Sequence, residues 1–240
     1  PQRDEYLVVW ENHYDADYCA IIGQRVMASG KPVGGSFTIS TGAYDYRPAV
    51  AYNSVYDEYL VTYSRFGTDD TYVYAQIILG DGVLYGDRIY IDGSFFNHQY
   101  WSSIAFNPTA INDGNLGEYL VVYTGSTSVW AKHVGSYGNV DSSAHAVSEP
   151  GANFEEVDVA HNPERNEYLV AYAEEDASSD FVYDILARRI DANSTPLSAE
   201  IDIAIDGRDA YYPKVALDNL NYLIVYTAGP PNTENDVDVY

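Results

Sequence analysis

The chain is poor in cysteine, in positive charge, in long apolar runs and in enzyme signatures, and each shortage excludes something. Its single cysteine, Cys19, permits no intrachain disulfide. Flanked by Ala20, Ile21 and Ile22, it reads as a small core residue rather than a reactive thiol. Lys and Arg number 12 against 36 Asp and Glu, a net charge of −24. Nucleic acid is therefore not an expected partner, because phosphate binding needs clustered Lys and Arg. An anionic membrane surface is not an expected partner on the same ground. No apolar run is long enough for a transmembrane helix, so no membrane insertion is expected. No helical periodicity persists along the chain. There is no Gly-rich phosphate loop and no Gly-x-Ser-x-Gly elbow. The five histidines (His13, His98, His133, His145, His161) lack metal-ligand spacing. The chain starts at Pro1 without a visible signal peptide, so we expect a processed chain or a piece of a longer polypeptide.

What is abundant is tyrosine, with 25 residues in 240. Aromatic residues favour strands and suit surfaces that are half apolar and half wet. Many of the tyrosines fall in one repeated motif. Five segments match it: Glu5 to Trp10, Glu58 to Tyr63, Glu118 to Tyr123, Glu167 to Tyr172, and Asn221 to Tyr226. Their Tyr-to-Tyr intervals are 53, 60, 49 and 54 residues.

Other parts recur in step. A short strand precedes the motif, as in Val50-Ala51-Tyr52-Asn53 and Val159-Ala160-His161-Asn162. A third strand follows it, as in Ile22 to Val26 and Leu186 to Ile190, and then a turn and a fourth strand such as Ser36 to Ser40. The long interval reflects an insertion between Asn107 and Glu118, expected in a loop. The motif strand is apolar on both faces, which suits a strand sandwiched between neighbouring sheets.

Four short strands in about 50 residues cannot bury their own faces, and such units are propeller blades. The expected fold is all-β: a propeller of four-stranded antiparallel blades, five in number, spanning 1–240 as one domain. The repeats divide at 1–47, 48–101, 102–156, 157–212 and 213–240, with incomplete first and last copies. A larger array, or a two-sheet sandwich, is the competing architecture.

The pattern Val-Ala-Tyr-Asn, Glu-Tyr-Leu-Val-Val-Trp, Ile-Gly-Gln-Arg-Val and Gly-x-Pro-Val-Gly-Gly-x-Phe-x-Ile-Ser resembles a repeat of secreted, multidomain bacterial and archaeal propeller proteins. It stands here at Ala51 to Asn53, Glu58 to Tyr63, Gly23 to Val26 and Gly30 to Ser40. The resemblance implies an extracellular or cell-surface propeller and no single activity.

Several groups are candidates for chemistry. The recurring Glu (Glu5, Glu58, Glu118, Glu167) reads as scaffold bonded to turn backbone, since it recurs at the same point of four copies and is Asn221 in the fifth. Asn53, Asn107, Asn162 and Asp218 read as turn formers. Aromatics sit just before each first strand: Tyr46, Tyr100, Trp101, Phe154, Tyr211 and Tyr212. With Asp45, Asn97, Asn153 and Asp209 they form either a sugar-stacking platform or core wedged between blades. Asp45, Glu155, Asp158 and Asp209 are the carboxylates for a glycosidase reading, with no pair singled out. Acidic loops (Asp15, Asp17; Asp69, Asp70; Glu174, Glu175, Asp176, Asp180; Glu234, Asp236, Asp238) are solvated or weak Ca²⁺ sites, and no obligate cofactor is expected. Asn193-Ser194-Thr195 is a glycosylation sequon.

The leading expectation is a binding or scaffold module at the cell surface, with protein or glycan partners and a place in a larger assembly. A lectin-like propeller is the first alternative and a glycoside hydrolase the second.

Overall fold

The computed structural model describes residues 3–15, 18–42, 44–67, 70–94, 101–151, 153–176, 182–205, 207–230 and 238–239. All regular structure in it is β. Five antiparallel sheets follow one another along the chain. The first holds β1 (Glu5–Asp15), β2 (Tyr18–Met27) and β3 (Pro32–Thr38). The second holds β4 (Asp45–Asn53), β5 (Glu58–Phe66), β6 (Thr71–Leu79) and β7 (Leu84–Ser94). The third holds β8 (Ser102–Asn112), β9 (Asn115–Thr124), β10 (Val129–Gly135) and β11 (His145–Ala146). The fourth holds β12 (Phe154–Asn162), β13 (Glu167–Glu175), β14 (Tyr183–Asp191) and β15 (Ile201–Ala204). The fifth holds β16 (Asp209–Asp218), β17 (Asn221–Gly229) and β18 (Asp238–Val239). Each sheet runs as a meander in chain order, so the five motif copies occupy equivalent strands: β1, β5, β9, β13 and β17.

Two compact units can be distinguished along the chain. One comprises Pro1–Val121 with His133–Val140, the other Val122–Lys132 with Asp141–Tyr240. Among the described residues no helix is long and apolar enough to cross a membrane.

Local chemistry sets the turn before each motif strand. Asn53 Oδ1 accepts the backbone N–H of Val55 (2.8 Å) and Tyr56 (3.2 Å). Asn107 does the same for Thr109 and Ala110, and Asn162 for Glu164 and Arg165. The residue just before the motif Glu is Asp4, Asp57, Gly117 or Asn166, each in the left-handed region. Asp, Asn and Gly tolerate that conformation best.

The insertion after Asn107 is not a loop. It lengthens the β8–β9 hairpin, which turns at Asp113 (φ 50) and Gly114 (φ 81). Two consecutive positive φ values on Asp-Gly make a turn whose twist matches the flanking strands.

The motif Glu residues are scaffold, but their partners are side chains rather than turn backbone. Glu5 accepts from Arg25 at 2.7 and 2.9 Å. Glu118 lies 2.6 Å from His133 Nδ1 and accepts Asn112 Nδ2 at 2.7 Å. Glu167 takes the Arg189 guanidinium. Glu58 accepts Asn53 Nδ2 at 2.9 Å and, among the described residues, forms no ion pair; burial pushes its carboxyl up to about 7.

The motif tyrosines fill the core. Tyr63, Tyr119, Tyr123, Tyr168 and Tyr172 are fully buried. Each buried apolar side chain of this size contributes about 1.5–3 kcal/mol.

Candidate functional site

The first strand of a repeat does not run straight. In β4 the register with β5 shifts between Tyr46 and Ala49, in β12 between Glu155 and Val157, and in β16 between Tyr211 and Lys214. At each bulge one residue takes a positive φ: Arg47 (56°), Glu156 (23°) and Tyr212 (53°). Each lies three residues before the first-strand Val (Val50, Val159, Val215). Trp101 holds the same place ahead of Ile104 in the third repeat. A bulky side chain in this region is strained, at about 1–3 kcal/mol, and bulges re-aim side chains next to functional sites. The aromatics expected ahead of the first strands therefore lie within or beside them, around the bulges. The repeat divisions at 47/48, 156/157 and 212/213 likewise fall inside β4, β12 and β16. Tyr100 and Asn97 lie outside the described residues.

In the first unit Asp45 is not a ligand-facing carboxylate. It is fully buried, meets Arg65 Nε at 2.6 Å and Nη2 at 2.8 Å, and accepts the Gly42 N–H at 3.0 Å. Tyr46 is half-buried, with its ring 5.2 Å from Phe66 and 5.7 Å from His13. The Arg47 guanidinium lies 3.8 Å from the Trp101 ring centroid, and the Arg47 N–H donates to Glu11 Oε1 at 2.7 Å. A stacked cation–aromatic pair at a strained bulge is a polar platform with an apolar face.

In the second unit Phe154 is core: it is buried edge-on to Tyr172, with ring centroids 5.9 Å apart. Tyr211 and Tyr212 are different. Tyr212 is 54% exposed, and its ring centroid stands 6.2 Å from that of Tyr211. Tyr211 in turn packs on Tyr183 at 5.2 Å. Asp209 Oδ1 accepts the Tyr183 N–H at 3.0 Å, and the Tyr183 hydroxyl reaches Glu155 Oε1 at 3.4 Å. Burial first, then the Asp209 hydrogen bond and charge, push the Tyr211 phenol well above its ordinary range, so it stays a neutral donor. Three rings, two carboxylates and a strained backbone thus meet at one end of β16. Asp158, by contrast, is structural: its Oδ2 accepts the Val215 N–H at 2.8 Å, and Lys214 Nζ lies 3.8 Å from Oδ1.

One carboxyl that the sequence places in an acidic loop belongs instead to β13. Glu174 pairs across from Phe154, where the second sheet has the Asp45–Arg65 ion pair. Without a facing cation, burial first and then the charges of Glu200 and Asp184 raise its carboxyl to about 7. The Tyr172 hydroxyl donates to Glu200 at 2.5 Å. A half-buried acid that keeps its proton near neutrality, beside an acidic partner, is the pattern of a proton donor.

Of the other acidic-loop residues, Asp17, Asp69, Asp180, Glu234 and Asp236 lie outside the described residues. Asp70 accepts the Tyr72 hydroxyl at 2.7 Å, and Glu175 accepts from Asn153. A mixed donor set does form elsewhere: the ligand atoms of Glu11, His13 and Cys19 all lie within 4.8 Å of one another. Strand pairing explains it, since His13 faces Cys19 across β1–β2 and Glu11 is two residues along the same face. Sequence spacing hides this trio because Cys19 belongs to the returning strand. The Cys19 thiol is fully buried, and burial, then Glu11 and Asp45, push it up to about 11. Labelling of Cys19 by a thiol reagent at pH 8 should therefore be slow in the folded chain and fast in denaturant. Equal rates in the two states would contradict the buried placement.

A pocket of about 230 Å³ lined by Glu5, Tyr6, Leu7, Val50, Tyr52 and Tyr59 lies toward the opposite end of β4 from its bulge. Its one carboxylate, Glu5, is held by Arg25.

No protein-family model matches the chain, and no curated protein matches it by sequence. Solved structures similar to it include an endo-arabinase from Bacteroides thetaiotaomicron, with TM-score 0.58, 11% identity, and 99% of this chain and 89% of that one covered. An α-L-arabinofuranosidase from Podospora anserina in complex with cellotriose gives TM-score 0.55 and 8% identity, covering 98% and 85%. An α-L-arabinanase from Cellvibrio cellulosa complexed with arabinohexaose gives 0.52 and 7%, covering 99% and 90%. At such identities the likeness is one of fold.

Proposed function

We propose that the five sheets are successive blades of one β-propeller, and that the chain is a glycan-binding protein of the cell surface or secreted milieu. The observation that carries this is the bulge of β16. There an exposed tyrosine on strained backbone stands beside a second tyrosine, with Asp209 and Glu155 close by. Sugars present apolar faces to rings and hydroxyls to carboxylates, and this group offers both. Similarity over nearly the whole chain to an arabinanase and an arabinofuranosidase supports pentose-containing oligosaccharides as the first ligands to try. The extracellular setting rests on the resemblance of the repeat.

Calorimetric titration with arabino-oligosaccharides, preceded by a glycan array, tests the proposal. Tyr212→Ala should weaken binding about tenfold, since one aromatic stacking contact carries about 0.5–1.5 kcal/mol beyond its buried area. No binding to any glycan, or binding unchanged in Tyr212→Ala, would reject it.

A second reading is favoured by the placement of Glu174, half-buried across β12–β13 from Phe154 with Glu200 and Asp184 as its charged neighbours, where burial raises its carboxyl to about 7. A glycosidase needs one acid that is still protonated near neutrality and one ionised carboxylate. In that reading Glu174 donates the proton to the leaving oxygen. Glu174→Gln should then abolish hydrolysis and leave sugar binding intact; hydrolysis surviving the substitution would exclude Glu174 from the role.

A further inference from the structure

Glu11, His13 and Cys19 share one face of the first sheet. Side chains alternate along a strand, so Glu11 and His13 of β1 point the same way, and Cys19 of β2 stands directly across from His13. Leu7 and Ile21 use that same face to pack on the second sheet, so the trio lies within the first compact unit. Contacts with β4 hold it there. The bulge of β4 aims the Arg47 N–H at Glu11 Oε1, 2.7 Å away, and the Tyr46 ring stands 5.7 Å from the His13 ring.

A thiol, an imidazole and a carboxylate are the ligand types of zinc, whereas calcium takes oxygen alone. Glu11 Oε2 lies 3.1 Å from His13 Nε2, and the sulfur of Cys19 is within 4.8 Å of both. Ligand atoms around a tetrahedral Zn²⁺, each about 2.0–2.3 Å from the ion, stand about 3.5 Å apart. The carboxylate and imidazole already have that spacing, and a rotation of the His13 side chain, 57% exposed, closes the distance to sulfur. Two donors are also fixed from behind, as metal ligands usually are. The Arg47 N–H occupies Glu11 Oε1 and leaves Oε2 to the ion, and the Asn12 backbone N–H donates to the Cys19 sulfur. One thiolate and one carboxylate balance the two positive charges of the ion. Asp45, the next carboxylate, is already neutralised by Arg65.

We propose that Glu11, His13 and Cys19 form a Zn²⁺ site that ties the β1–β2 hairpin to the bulge of β4. The proposal is independent of glycan binding. The thiol gives up its proton to solvent as the sulfur takes the ion. Three protein ligands leave the fourth tetrahedral position to water, on the side of His13, the most exposed of the three. Cys19 closes the site from the interior, where it is fully buried.

Calorimetric titration of the metal-stripped full chain with Zn²⁺, with Ca²⁺ as the control, tests this, together with absorption spectroscopy of the Co²⁺ complex. The 36 acidic residues give any divalent cation a weak background of many sites. Above it, Zn²⁺ alone should show one tight site per chain. Co²⁺ in the same place should give a sulfur-to-cobalt charge-transfer band, which can come only from Cys19, the single cysteine. His13→Ala, at an exposed position that spares the fold, should weaken the tight site at least about tenfold, since even the outer partners of metal ligands carry about 10–100-fold. Glu11→Gln, which keeps an oxygen for the Arg47 N–H, should weaken it likewise, and circular dichroism checks both folds. Zinc bound no more tightly than calcium overturns the proposal. So does a cobalt complex without the charge-transfer band, or a tight site that His13→Ala leaves unchanged.

Discussion

Replacing Arg65 with Met should lower the unfolding free energy by about 3–5 kcal/mol, the usual penalty for removing one partner of a buried ion pair. Asp45 is fully buried and bonds both its oxygens to Arg65, so the substitution leaves a carboxylate in the interior with one backbone N–H. Adding Asp45→Asn should recover most of the loss, because the repeat does not need the pair. The equivalent cross-strand partners are Phe154 and Glu174 in the fourth sheet, and Ala210 and Ala228 in the fifth. Urea denaturation of the single and double variants measures both effects. A single variant within about 1 kcal/mol of wild type would mean that water or another group reaches Asp45.

Acidification should stabilise the chain between pH 8 and pH 5, with Glu58 contributing about 2–3 kcal/mol. The direction follows from proton uptake. Burial, opposed by hydrogen bonds from Asn53 and Tyr119, raises the Glu58 carboxyl from 4.5 to about 7. Between those values the folded chain holds a proton that the unfolded chain has released. Stability from this group is therefore fully present below pH 4.5 and lost as pH rises through 7. Glu174 acts in the same direction. Relief of repulsion among 36 acidic residues does too, so the informative quantity is the difference from Glu58→Gln. That variant should show a distinctly flatter pH dependence in urea denaturation; an identical slope would place the Glu58 carboxyl in solvent contact.

Much of the fold was legible because local chemistry carried it. The Asn–Glu turns and the motif strands fall where the repeat puts them, since side-chain-to-backbone bonds at Asn53, Asn107 and Asn162 act over two or three residues. What long-range register decides was not legible. The Glu5, Glu118 and Glu167 partners stand on the adjacent strand, and only pairing reveals Arg25, His133 and Arg189. The bulges left no glycine as a marker: Arg47, Glu156 and Tyr212 are ordinary residues in a strained conformation. Phe154 reads like Tyr212 in an aromatic tally, yet one is core and the other exposed. Glu5 to Trp10 and Glu118 to Tyr123 are nearly the same string, yet Tyr6 is 56% exposed and Tyr119 fully buried.

The junction in which Leu7, Ile21 and Ile39 of the first sheet pack on Tyr59, Val61 and Tyr63 of the second also bears on how such a chain grows over evolutionary time. A duplicated repeat arrives with both surfaces it needs, one to meet the copy before it and one to meet the copy after it. Whole-unit duplication or deletion is then close to neutral, with no compensating substitutions at the new boundary. A change of half a unit sets two like surfaces against each other and strands the Tyr59-type hydroxyl without its carbonyl. Unequal recombination in genes of this type should therefore be tolerated in steps of about fifty codons and purged in between.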